Sequence, residues 1–318
     1  MVHRPSSIVY KIMSIFSANG KLLITAEYFV LDGAKALAIP VKFGQTLKVI
    51  NNKKTPYLVW ASCDHENKTW FSGAFWDETF DAIHSDDPTV EAILTKTLLS
   101  AQKLRGTKKK LNLSRTTIET YLNFPREWGL GTSSTLLYLV AQLFEVNPYL
   151  LNDAVFGGSG YDIACASSTT PIIYQIKNSI PIVTPVKWKP LFSEQLFFIY
   201  LGKKQNSRDG IAHYRATVKN DTLLIDTASQ LTDSFFRATT LLDFDNLIFE
   251  HEKLVQLATQ LQRAKDTHFL DYWGEIKSLG AWGGDFVLAT SNRSTEATKK
   301  YFSEKGFNTF FKFDEMIF

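Results

Sequence analysis

The chain has 318 residues, of which 45% are hydrophobic and 21% charged, the balance of a folded globular protein rather than a disordered one. Thirty-five Lys and Arg against thirty-two Asp and Glu leave a net charge of +3, too small to mark a nucleic-acid binder by charge. Cys63 and Cys165 stand without CxxC partners, so neither a disulfide scaffold nor a structural zinc site is expected, and a reducing, cytoplasmic setting is the simplest expectation. No apolar run approaches the ~20 residues a bilayer needs, and Lys11 breaks the short apolar start before any small-residue cleavage site.

At about 150 residues per domain the length predicts two domains. Residues 1–12 read as a loose extension before a first strand opening at Met13 in MSIFSANGK. Further strand-like stretches, rich in β-branched and aromatic residues, lie at Lys21–Ala26, Gln45–Val49 and Tyr57–Ala61. A helix is predicted near Glu91–Leu104 and a strand over Lys110–Arg115, with the basic residues between Lys103 and Lys110 in a solvated turn. From Ser133 the pattern becomes helical, with Leu136, Leu137, Val140, Leu143 and Phe144 on one stripe. Asn147-Pro148 ends that helix. Prolines at 171, 181, 185 and 190 punctuate short strands, and a second α+β half begins near Glu194 with strand Gln195–Leu201 and a long helical region over Asp221–Ala264. The domain boundary is expected near residue 190, giving domains 1–190 and 191–318.

Four segments carry chemistry. Asn19-Gly20-Lys21 at the mouth of a strand lets backbone approach an anion while an ammonium points at it, although an edge-strand lysine beside a turn glycine looks the same. Pro125-Arg126-Glu127-Trp128-Gly129-Leu130-Gly131-Thr132-Ser133-Ser134 runs into the amphipathic helix. Backbone N–H groups at such a helix start can converge on a phosphate, and hydroxyls at 132–134 can serve as magnesium ligands. It is neither a Walker loop nor GxGxxG, and an ordinary capped helix behind a glycine turn would read alike. Gly157-Gly158-Ser159-Gly160-Tyr161-Asp162 offers Asp162 as a helix cap or as a catalytic carboxylate. Finally, Gly280-Ala281-Trp282-Gly283-Gly284-Asp285 precedes strand Val287–Thr290, and its glycines demand close backbone approach to a ligand or to a neighbouring segment.

In this order the four segments resemble the GHMP kinase superfamily, which reads PGK…GE[HY]xVxxG…ALA, then PxxxGLGSSAA, then SGxD, then a GAGGGG-type loop. The matching residues are NGK at 19–21, AEY at 26–28, ALA at 36–38, the 125–134 segment, SGYD at 159–162 and GAWGGD at 280–285, so the match spans residues 17–290. The resemblance implies an α+β fold: an amino-terminal domain like ribosomal protein S5 domain 2 and a ferredoxin-like carboxy-terminal domain, with the site between them. It also implies ATP and Mg²⁺ as cofactors.

By the same resemblance, Gly129, Leu130, Gly131, Thr132, Ser133 and Ser134 bind the ATP phosphates, and Ser133 binds Mg²⁺. Lys21 stands near the transferred phosphate, and Asp162 is base or orienter of the acceptor. Gly280, Ala281, Gly283 and Gly284 close the site. Departures are Asn19 for proline, Ala26 for glycine, Ser134 for alanine and Trp282 for glycine. The family's metal-binding glutamate falls on Leu151, with Asp153 the nearest acid.

Among family members the motifs lean toward phosphomevalonate kinase: Glu27-Tyr28-Phe29-Val30-Leu31-Asp32 and Lys277 through Asp285 resemble its GEY…VLD and KxSGAGGGD, and Gly158–Ala164 resembles the GSGFDVA kept by some members. Lys203, Lys204 and Arg208 would suit an acceptor already carrying phosphate, or form a solvated basic turn, and Ser159 would line the acceptor site with Lys21. A retained Asp162 suits an alcohol acceptor instead, as in mevalonate kinase. A non-catalytic binding protein and a diphosphomevalonate decarboxylase are the other readings. The expected partner is a small anionic substrate, with no nucleic acid and no membrane; oligomeric state is not legible.

Overall fold

The computed structural model describes residues 12–106, 111–203, 207–218, 221–280, 282 and 285–318. Strand β1 (Ile12–Leu23) leads through a turn to β2 (Ala36–Asn51), β3 (Leu58–Cys63), β4 (Thr69–Phe75) and β5 (Ala82–Ser85). Helix α1 (Pro88–Arg105) follows, started by Asp87, whose carboxylate accepts the Thr89 and Val90 N–H groups at 2.9 and 3.1 Å. Then come β6 (Thr116–Leu122), α2 (Thr132–Phe144), α3 (Pro148–Val155), α4 (Tyr161–Ser167), β7 (Ile172–Lys177), β8 (Ile180–Pro185) and β9 (Leu196–Tyr200). The chain continues through α5 (Ser207–Thr217), α6 (Thr222–Arg237), α7 (Leu241–Thr259), α8 (Ala264–His268), β10 (Ile276–Ser278), β11 (Phe286–Thr290), α9 (Thr295–Glu304) and β12 (Phe310–Lys312).

The described chain separates into two compact units. One comprises the described residues of Met1–Ala18, Gln45–Pro125 and Ser133–Gly157; the other holds those of Asn19–Gly44, Arg126–Thr132 and Gly158–Phe318. In the first unit the strand order is β5-β4-β3-β6-β2, antiparallel except for β3 with β6. Side chains alternate along these strands, so Trp60, Phe71, Phe75, Ile118 and Leu122 are buried, as are Leu94, Leu98 and Ala101 of α1.

In the second unit the start of β2 pairs with β7, and β7 with β8. A separate antiparallel sheet has the order β12-β9-β11-β10. Numbered by sequence this is 4-1-3-2, the ferredoxin-like order. Its core gathers Phe197, Ile199, Phe269, Tyr272, Ile276, Val287 and Phe302.

Several boundaries differ from the sequence reading. Residues 111–115 are coil and turn, and the strand begins at Thr116. Asp77 Oδ1 takes the Leu113 N–H at 2.6 Å, Asn112 Oδ1 takes Ser114 N–H at 2.9 Å, and Arg115 has φ 56°. These side-chain acceptors compete with a ladder until the turn is complete. The first strand runs unbroken to Leu23, after which Ala26 and Tyr28 take φ of 61° and 67° and turn the chain. Helix α2 stops at Phe144, where Glu145 has φ 53°, while Asn147-Pro148 starts α3 instead of ending α2. Asn147 Oδ1 accepts the Tyr149 N–H at 2.9 Å. The long helical region is two helices, because Thr240 Oγ1 caps α7 through the Asp243 N–H at 3.1 Å.

Residues 1–11 and 107–110, which hold most of the expected extension and part of the basic turn, lie outside the described residues. Cys63 and Cys165 are both buried free thiols. Among the described residues no helix is long and apolar enough to cross a membrane.

Candidate active site

The first and second motifs are stitched together in the second unit. A Cβ on Gly20 would lie 2.7 Å from the Leu130 carbonyl oxygen and 2.8 Å from that of Phe43, so only glycine lets these backbones meet. Next along β1, the Lys21 N–H donates to the Leu130 carbonyl at 2.9 Å, and Lys21 Nζ donates to the Gly129 carbonyl at 3.0 Å. The Tyr161 ring centroid lies 5.8 Å from the ammonium. Burial alone would lower the Lys21 pKa, but Tyr161, Asp285 and Asp162 outweigh it and raise the value, so the side chain is a fixed cation.

In the second motif Gly129 and Gly131 have φ of 68° and 103°, Leu130 is fully buried, and α2 starts at Thr132. Ser133, in the first unit, is exposed in the opening turn, and Ser134 is buried. A Cβ on Gly129 would lie 2.6 Å from Asp285 Oδ1, so the Asp285 carboxylate packs directly on this glycine. Gly129→Ala should therefore destabilise the protein by more than the ~1–2 kcal/mol left-handed backbone cost. Gly157→Ala, at φ 72° with nothing within 4 Å, should show only that cost, and urea midpoints of the two variants measure the difference.

The third motif residue, Asp162, lies half-buried at the start of α4 and accepts its neighbour's N–H, Ile163, at 3.1 Å. Gly160 takes a left-handed φ of 79° to begin this helix, and the Tyr174 hydroxyl donates to the Ser159 carbonyl. Lys21, Tyr161, Asp162 and Asp285 thus form one electrostatic group.

Behind the last motif lies a buried charge cluster. Lys277 Nζ pairs with Glu27 and, at 3.2 Å, with Glu252 Oε1; His251 Nε2 is 3.4 Å from Glu27 Oε2; all four side chains are at most 1% exposed. Glu252 also accepts the Ser278 N–H at 3.0 Å and the Trp282 indole N–H at 3.3 Å. His251 Nε2 accepts the Ala26 N–H at 2.8 Å, so its imidazole is the neutral Nδ1-protonated tautomer. Burial, with Lys277 adding to it, pushes the His251 pKa well below the usual value. Burial raises Glu27 to about 7, against the lowering pull of Lys277.

Trp282, at φ 56°, is buried, its indole tied to Glu252. It is an anchor into the core. Gly280 is half-buried at φ 65°; Ala281, Gly283 and Gly284 lie outside the described residues.

On the expected acceptor side, Lys203 is exposed, Lys204 lies outside the described residues, and Arg208 is on α5 with its side chain outside them. Helix α5 is held to the first motif. The Tyr214 hydroxyl donates to Asp32 Oδ2 at 2.6 Å, Arg215 pairs with Asp32, and Tyr28 and Tyr214 stack with centroids 5.5 Å apart. Gly210 makes room for Tyr28, whose hydroxyl lies 2.6 Å from where a Cβ would be.

No protein-family model and no curated protein matches the chain. Solved structures do. Leishmania major mevalonate kinase in complex with R-mevalonate superposes with a TM-score of 0.65 at 15% identity, covering 95% of this chain and 95% of that one. Streptococcus pneumoniae phosphomevalonate kinase in complex with phosphomevalonate and AMPPNP gives 0.67 at 18% identity, over 94% and 100%. Lactococcus lactis galactokinase complexed with galactose gives 0.67 at 15% identity, over 93% and 92%. The chain has the GHMP kinase fold.

Within this GHMP kinase fold few described groups could take part in holding a metal. The Ser133 hydroxyl is exposed and is a hard oxygen donor of the type Mg²⁺ accepts. Leu151 is fully buried in α3 and apolar, so the position where the resemblance would put a metal-binding glutamate carries no ligand, and the nearest acid, Asp153, is exposed. Among the described residues no group of three His, Cys, Asp or Glu side chains could hold a metal. Mg²⁺ held mainly by phosphates with one protein oxygen fits that set.

Tyr161, His251 and Glu252 were not singled out from the sequence. Tyr161 stands between two motif letters. His251 and Glu252 do carry a signal: they follow Ile248 at i+3 and i+4 and precede Val255, on the buried stripe of α7.

Proposed function

We propose that this chain is an ATP-dependent small-molecule kinase that phosphorylates 5-phosphomevalonate. The observation that carries the kinase reading is Lys21, a buried permanent cation seated on the Gly129 carbonyl where the glycine turn leads into α2, with the Asp162 carboxylate in its electrostatic reach. Phosphoryl transfer needs charge neutralisation and alignment more than covalent help. In this reading the backbone of Gly129–Ser134 and Gly280–Gly284 receives the nucleotide phosphates, and Lys21 stabilises the charge on the transferred group. Ser133 holds Mg²⁺, which when bound neutralises the phosphate oxygens. The domain boundary near residue 190 belongs to the same proposal.

The substrate reading is supported by the motif resemblance and by a basic segment opening with exposed Lys203. A phosphate acceptor is already ionised, and Asp162 then orients rather than deprotonates. The second reading, mevalonate as acceptor, is favoured by Asp162 itself, which can take a proton from an alcohol. Coupled ADP release with ATP-Mg²⁺ tests both side by side. Turnover with 5-phosphomevalonate alone is the expected result; turnover with mevalonate alone overturns the substrate, and silence with both and with a panel of sugars and amino-acid alcohols overturns the kinase.

A further inference from the structure

Resting on the kinase reading, we propose that Asn19 is a positioning residue, its carboxamide tying β1 to the far end of α4 and so setting how Asp162 stands against Lys21. One hydrogen bond across 149 positions of sequence carries the argument: Asn19 Nδ2 donates to the Ser168 carbonyl at 2.8 Å. Ser168 is the C-cap of α4, where helix carbonyls lack partners within the helix. A half-buried amide from another element supplies one.

The strand side of this tie is rigid. Asn19 and Lys21 stand two apart on β1, so their side chains leave the same face. Gly20 between them is pressed against the Leu130 and Phe43 carbonyls, and the Lys21 N–H holds the first of these at 2.9 Å. Helix α4, seven residues and about 10 Å long, meets this face at both ends. Ser168 is bonded to Asn19, and the Tyr161 ring centroid is 5.8 Å from the Lys21 ammonium. Two contacts fix direction as well as place; one would leave a pivot.

The entry to α4 holds the helix less firmly. Gly158 and Gly160 take left-handed φ of 95° and 79°, and a Cβ on Gly158 would meet nothing within 4 Å. Open glycine backbone resists rotation weakly. The Tyr174 hydroxyl bonds the Ser159 carbonyl there. Ile163, Ala164, Cys165 and Ala166 are buried, but three of these side chains are small and grip little surface. Asp162, second residue of the helix, is half-buried and in electrostatic reach of Lys21. Releasing Ser168 lets the helix turn about its entry, which re-aims the Asp162 carboxylate.

Asn19→Leu is the test: it keeps the side-chain shape, removes the donor, and is assayed as the full chain with ATP-Mg²⁺ and the acceptor that the wild type phosphorylates. A misplacement of about 1 Å at a reacting centre costs up to ~100-fold. The expected result is a kcat lower by about 10-fold or more, with KM for ATP within twofold, because the Lys21 bonds to the glycine turn do not involve α4. The thermal midpoint should fall by only about 2–4 °C, the loss of one hydrogen bond. If that variant does not fold, Asn19→Ser, too short to span the gap, carries the same expectations. A folded variant with kcat within twofold of wild type overturns the inference, whatever its midpoint, and leaves the kinase intact. A raised KM for ATP alongside the fall in kcat overturns it too, since loosening has then spread beyond α4. Failure of both variants to fold makes the tie structural and overturns it. Silence of the wild type with every acceptor overturns the kinase reading and this inference with it.

Discussion

Lys21→Met should lower ATP turnover by about 10²- to 10³-fold while the protein stays folded. Removing one preorganised donor from a developing oxyanion costs about that much in comparable sites, and the lysine adds a full charge. Methionine preserves the apolar stem along β1. Its cost to folding is the Lys21–Gly129 hydrogen bond, about 1 kcal/mol, against a typical total of ~5–15 kcal/mol. ADP release and a thermal melt on the same preparation check both halves. Turnover within tenfold of wild type would remove Lys21 from the chemistry.

Lys277→Met is expected to unfold the protein or nearly so, for a reason unrelated to catalysis. It leaves Glu27 and Glu252, both at most 1% exposed, without their shared cation. Deleting one partner of a buried ion pair costs about 3–5 kcal/mol because the other charge stays buried. Glu27→Gln should behave in the opposite way. It leaves a balanced Lys277–Glu252 pair, and the carboxamide oxygen can still accept from Lys277.

The two proteins should also differ in pH dependence. Glu27 has a folded pKa of about 7, above its ordinary value of 4.5. The native state therefore binds more protons than the unfolded state between those values, and wild-type stability falls as pH rises through that window. His251, lowered in the fold, works the other way below its ordinary 6.5, but it is common to both proteins and cancels in the comparison. Urea unfolding at pH 5 and pH 8 should show Glu27→Gln gaining on wild type at the higher pH. An unchanged difference would mean that Glu27 is ionised at both.

The fold was legible where chemistry runs contiguously along the chain. GLGTSS and SGYD each sit where a helix begins, and the 4-1-3-2 sheet agrees with the ferredoxin-like expectation, whereas NGK lies within β1 rather than at the mouth of a strand. Local turn chemistry was less legible: the Asp77 carboxylate that takes the Leu113 N–H comes from 36 residues upstream, so the delay of β6 to Thr116 has no local cue. The buried cluster draws on Glu27, His251, Glu252 and Lys277, which only tertiary folding brings together. Trp282 reads as an intrusion into a glycine loop until Glu252 is seen to hold its indole.

The proposed reaction transfers the γ-phosphoryl group of ATP to a small anionic acceptor. The most direct measurement incubates the protein with Mg²⁺ and ATP labelled in its γ-phosphate oxygens, then weighs the acceptor by mass spectrometry. The expected result is an acceptor heavier by one labelled phosphoryl group. Label recovered only in inorganic phosphate, or unconsumed ATP with every acceptor tried, would contradict it.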